Sequence, residues 1–148
     1  MSAPSTEVTA FLSAHGRAYL YVLAADGAVR GWPMIARTRD GRLVMTTYRK
    51  APKTPHLRAA SRATVIVTSD EGAKPFRYVV VEGPLTLTDI TPAMADAVTD
   101  ILHGEGLAGG GYSEPGARSH FHARLLEGKR SLIEVGVESA QLFTLEDA

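Results

Sequence analysis

The sequence contains no cysteine. Disulfides, thiolate metal centres and thiol catalysis are thereby excluded. It also lacks a net charge: sixteen Lys and Arg balance sixteen Asp and Glu over 148 residues. A general nucleic-acid binder needs a basic excess, so none is expected here. No apolar run approaches the roughly 20 residues of a membrane span. The opening MSAPSTEVTAFLSAHGR has no charged stretch followed by an apolar one, so no signal peptide is read. The expectation is a cytoplasmic protein with no membrane partner. Internal repeats and low-complexity tracts are missing too. The whole of 1–148 is read as one domain, long enough to bury a core.

What is present is mostly strand. STEVTAFLSAHG reads as a short helix, with Ser5 or Thr6 as cap and Val8, Phe11 and Leu12 at helical spacing. RAYLYVLAADGAVRGWPMIARTRDGRLVMTTYRK reads as three strands punctuated by Asp26-Gly27 and Asp40-Gly41. APKTPHLRAAS predicts a loop leading into a short helix with Pro55 in its first turn. ATVIVTS and FRYVVVEGPLTLTD predict two further strands, and Gly83-Pro84 inside the second predicts a bulge or bend. Thr91-Pro92 opens another helix, with Met94, Val98, Ile101 and Leu102 on one face. ARSHFHARLLEG reads as a helix, and RSLIEVGVESAQLFTL as one closing strand and a tail. Six or so strands with early hairpins point to a mainly β chain and favour a small antiparallel barrel over a doubly wound sheet, with length alone leaving a sandwich open.

Charge is unevenly placed. Six of the seventeen residues from Thr46 to Arg62 are Lys, Arg or His, directly after the strand RLVMTTY. Thr46, Thr47 and Tyr48 offer hydroxyl donors. Arg49, Lys50 and Lys53 offer charge-assisted bonds to a phosphate, and a helix start near His56 adds backbone N–H groups. The alternative is a solvated turn whose charges serve solubility.

The pattern as a whole resembles the pyridoxamine phosphate oxidase-like split β-barrel superfamily, including its flavin- and deazaflavin-dependent oxidoreductase branch. The resemblance rests on a hairpin ending GxxxxxP, on LVMTTY, RKAPKTPHLR and ATVIV, and on YVVVEGPLTL. Lys53 followed by His56-Leu57-Arg58 is similar to the family's K-x-x-N-L-R signature. It implies a split antiparallel barrel of the FMN-binding type, dimerised on itself, with FMN or the deazaflavin F420 at the dimer interface. Lys53 would then be the first phosphate ligand, and Thr46, Thr47 and Tyr48 would flank the ring and its chain. Pro33 and Met34 would lie near the ring, with Trp32 stacking or packing close by. Family members often carry Arg or Ser just before the lysine. Here Ala51-Pro52 stands there, leaving Arg49 or Lys50 as the substitute. Arg58 joins Arg49 and Lys50 as a cation for the acidic tail of F420, which tilts the reading toward F420 over FMN. The implied activity is hydride transfer between cofactor and a small organic substrate. The rival is a carrier or sensor of flavin, deazaflavin, haem or a tetrapyrrole without turnover.

Other residues read more blandly. No protein acid, base or nucleophile stands out as catalytic. His120 and His122 sit in a helical segment, where i, i+2 spacing puts them about 200° apart, and no metal site is expected. Arg77 and Tyr78 are strand residues, core, interface or cofactor-facing. GLAGGGYSEPG is either a lid over substrate or a plain connector.

Overall fold

A computed structural model describes residues 4–103 and 116–145. Helix α1 (Thr6–Ala14) begins where Ser5 Oγ accepts from the Val8 N–H at 3.1 Å, and it buries Val8, Phe11 and Leu12. Strands β1 (Arg17–Leu23) and β2 (Val29–Ile35) form a hairpin. Asp26 fixes its turn by accepting from the Ala28 N–H. Strands β3 (Arg37–Arg39) and β4 (Arg42–Tyr48) meet at Asp40-Gly41, both with positive φ, the conformation a tight two-residue hairpin turn requires. Helix α2 (Thr54–Ala59), strand β5 (Arg62–Thr68) and strand β6 (Phe76–Asp89) follow. After a 3-10 turn at Pro92–Met94 come helices α3 (Ala95–Leu102) and α4 (Ala117–Leu126), then strands β7 (Arg130–Gly136) and β8 (Ser139–Leu145). None of the described helices is long and apolar enough to cross a membrane.

Two segments differ from the sequence reading. The stretch read as three strands holds four, because Ala36 leaves the ladder and donates its N–H to Gly16 O at 2.9 Å. The closing segment read as one strand holds two. Gly136 to Glu138 makes the break, with Glu138 N–H shared between Glu82 O and Gly136 O.

All pairings are antiparallel, in the order β2-β1-β5-β6-β7-β4-β3, with β8 also on β6. The two end strands of that order, β2 and β3, are joined by Ala36 alone. The sheet therefore curls back on itself as a barrel, split because no ladder pairs β2 with β3. Strand β6 belongs to both halves: Phe76–Glu82 pairs with β8 and Leu85–Asp89 with β7, while β5 takes its other edge. The bend predicted at Gly83-Pro84 lies at this change of partner. A Cβ on Gly83 would stand 1.6 Å from Gly136 O, so only glycine lets the two strands cross so closely.

Alternation along β4 sorts two cores. Leu43 and Met45 point into the barrel with Leu20, Val65, Val79 and Ile133, a core that Val8, Phe11 and Leu12 of α1 and Leu57 of α2 complete. Val44 points outward with Leu132 against Val98, Leu102 and Leu125 of α3 and α4. The helical face read at Met94, Val98, Ile101 and Leu102 is the one that covers this second core.

Candidate functional site: a cleft at the end of strand β4

The strand end is tied off tightly. Tyr48 O accepts from the Ala51 N–H at 3.1 Å and from Thr54 Oγ1 at 2.6 Å. Buried Thr54 and Leu57 anchor α2 behind that turn. Lys53, the residue before α2, is thereby returned to the strand terminus. It lines a cleft of about 790 Å3 together with Thr46, Thr47 and Tyr48, within the roughly 300–1,000 Å3 of small-molecule sites.

The lining also has apolar members, alongside His15, Arg17 and Asp70. They include Tyr19 of β1 and Pro33, Met34 and Ile35 of β2. Gly16 lines the cleft where a Cβ would stand 2.7 Å from the guanidinium of buried Arg37. Leu102 of α3, Phe121 of α4 and Arg130 of β7 also line it.

Among the polar groups that the fold leaves over, two bear on the cleft chemistry first. Thr47 is 3% exposed, and its Oγ1 has no hydrogen-bond partner. A buried hydroxyl in that state costs about 1–3 kcal/mol. Lys53 is half-buried, and its ammonium has neither a carboxylate nor a hydrogen-bond partner among the described residues. Both line one cleft, and an anion carrying acceptor oxygens has the complementary chemistry. The donor set thus fits a phosphate-bearing ligand.

Arg130 is one of the cleft residues that the sequence reading did not nominate. The register Tyr48↔Arg130 puts it beside the strand end. Its Nη2 donates to Tyr48 Oη at 3.0 Å and its Nη1 to Thr46 Oγ1 at 3.4 Å. The guanidinium carbon lies 4.4 Å from the Tyr48 ring centroid and 5.6 Å from that of Phe121. Arg124 of α4 also donates to Tyr48 Oη, at 3.2 Å.

No family model matches the chain, and neither does any curated protein. Solved structures do. A FAD-binding protein from Mesorhizobium loti superposes with a TM-score of 0.68 at 20% identity, over 97% of this chain and 96% of its own. An F420 reductase gives 0.63 at 18%, over 94% and 98%. A Clostridium acetobutylicum protein related to general stress protein 26, of the pyridoxinephosphate oxidase family, gives 0.65 at 9%, over 93% and 86%. The chain has the pyridoxamine phosphate oxidase-like split-barrel fold.

On this split barrel, six of the sequence-nominated residues converge on the cleft: Pro33, Met34, Thr46, Thr47, Tyr48 and Lys53. The other four do not line it. Arg49 turns to the backbone, donating from Nη2 to Ile90 O at 2.8 Å and from Nε to Arg130 O at 3.2 Å, with Asp89 at 3.5 Å. It fastens the β7 end to the segment after β6. Arg58 lies 4.0 Å from the same Asp89. His56 stacks on Trp32, ring centroids 6.3 Å apart, and Trp32 packs on the barrel core. Lys50 is exposed. The acidic-tail cations expected at Arg49 and Arg58 are thus engaged with Asp89.

The remaining residues lie elsewhere in the split barrel. Arg77 pairs with Glu7 at 2.7 Å, and Tyr78 stacks on Phe143. His122 bonds Asp96 at 2.7 Å, and no group of three or more His, Asp or Glu among the described residues could hold a metal. The Gly-rich segment considered as a lid or connector lies, but for its last residue, outside the described residues.

Proposed function

We propose that the cleft binds a phosphorylated flavin or deazaflavin and that the protein is an oxidoreductase acting on a small organic substrate. The observation that carries this reading is the pairing of an unneutralised ammonium, Lys53, with an orphan buried hydroxyl, Thr47, in one cleft. Such a cofactor, when bound, supplies the hydride chemistry, and the protein supplies placement and electrostatics. Lys53 neutralises the phosphate. Thr47 donates a hydroxyl hydrogen bond, and Tyr19, Pro33 and Met34 offer apolar surface to a ring.

The reading includes a homodimer. The sheet face opposite the barrel core carries Tyr19, Ile66, Tyr78, Val80 and Phe143 in lateral register across β1, β5, β6 and β8. These are only half-buried, whereas the free face of an antiparallel sheet is ordinarily polar. Tyr19 belongs to both this face and the cleft wall, so a second copy seated there would border the cofactor.

The test is direct. The purified protein is examined for flavin or deazaflavin absorption, then titrated with FMN and F420 while ligand fluorescence is followed. Turnover is assayed with reduced cofactor and a panel of unsaturated carbonyls. Lys53→Ala is expected to weaken binding by about 1.5–3 kcal/mol, the range for bonds to charged groups. Equal affinity in the variant removes Lys53 from the site, and wild-type protein that binds neither cofactor ends the reading.

A further inference from the structure

Most of the twelve arginines in this chain are neutralised, although exposed Arg39 also has no carboxylate among the described residues. Eight of the described ones have a carboxylate within 4.0 Å. Arg124 and Arg130 have none among the described residues. Instead both donate to a single oxygen, Tyr48 Oη, at 3.2 and 3.0 Å. Two like charges converging on one neutral oxygen repel each other. The Arg130 Nε is in addition buried with no hydrogen-bond partner.

The phenol completes the arrangement. Its oxygen accepts both guanidinium bonds, so its own O–H is left to donate. Tyr48 is 46% exposed and borders the cleft, which leaves room above it. The O–H and the unused guanidinium N–H groups make a donor set shaped for an oxyanion. Thr47 points to the opposite face of β4 from Tyr48, so this cluster is distinct from the Thr47 hydroxyl with which Lys53 is paired above.

We infer that Arg124, Arg130 and the Tyr48 hydroxyl form a second oxyanion subsite, so that the cofactor of the cleft carries a second anionic group. The inference rests on the cofactor reading above and narrows it. FMN, with one phosphate, fills the Lys53 side only. A ligand with a second phosphate, or one with a carboxylate tail, fills both.

Three probes distinguish the cases: FMN, FAD and F420 bearing its glutamate tail. Each is titrated into wild-type protein, Lys53→Ala, Arg124→Gln, and Arg124→Gln combined with Arg130→Lys, with melting temperature as the check on folding. Wild type is expected to prefer FAD or F420 over FMN by at least tenfold. That preference shrinks at least tenfold in the double variant, and raising salt erodes it in wild type. Loss with FAD alone assigns the subsite to a phosphate; loss with F420 alone assigns it to carboxylates. A ratio of affinities unchanged by the arginine substitutions overturns the second subsite, even where Lys53→Ala still weakens all three probes. If no probe binds wild type, the cofactor reading fails with it.

Discussion

Thr47 is a residue whose hydroxyl does nothing for the fold. It is buried, faces the cleft and lacks a partner, so its desolvation is borne by the empty protein. Thr47→Val keeps the shape and deletes the orphan group. The variant is expected to raise the stability of the cofactor-free protein by up to about 1–3 kcal/mol while weakening cofactor binding. Chemical denaturation alongside ligand titration checks both, and a fall in both quantities would show that the hydroxyl serves the fold instead. His103 is a second residue with a readable cost. It is 9% exposed against the Phe121 ring at 4.6 Å. Burial, then the nearby Arg118 and Arg37 charges, push its imidazole below the usual 6.5. The unfolded chain therefore binds the proton first, and stability is lost as pH falls below about 6.5. Melting temperature should decline over that window, and less so in His103→Gln; parallel profiles for the two proteins would remove His103 from the acid response.

At the scale of elements, the strongest constraint is where β6 passes β7. Gly83→Ala places a methyl 1.6 Å from Gly136 O, in backbone that cannot yield cheaply. The expected loss is about 3 kcal/mol or more, seen as a lowered denaturation midpoint or loss of soluble protein, and an unchanged midpoint would refute the close crossing. Local signals located most elements. Ser5 as cap, Asp26-Gly27 and Asp40-Gly41 as turns, and Thr91-Pro92 as a helix start are short-range chemistry, and each stands where the sequence placed it. The division between β7 and β8 was not legible, because the run is uniformly strand-like and only its distant partner β6 dictates a break. The same limit governs the site. Lys53 and the Thr46–Tyr48 hydroxyls are consecutive in the chain and announce themselves together. Arg130 is joined to Tyr48 by strand register across 82 residues, which no local pattern encodes. Arg49 looked like a ligand from its neighbours alone, yet the carbonyls of Ile90 and Arg130, invisible in sequence, take its donors.

For the whole molecule, the half-buried apolar face across β1, β5, β6 and β8 sets the expected assembly. Light scattering should report about twice the 15.8 kDa chain mass. Ile66→Glu, on the middle of that face, should give monomers with weakened cofactor binding, because it adds a charge where a second copy would desolvate it. A monomeric wild type, or a variant dimer of unaltered affinity, would place the contact elsewhere. The long shared strand has a further consequence. Since β6 is hydrogen-bonded into both halves, melting of either half is expected to take its neighbour with it. Its amides should be the last to exchange with solvent deuterium, and the strand that bends around Gly83 is what makes one folding unit of two small sheets.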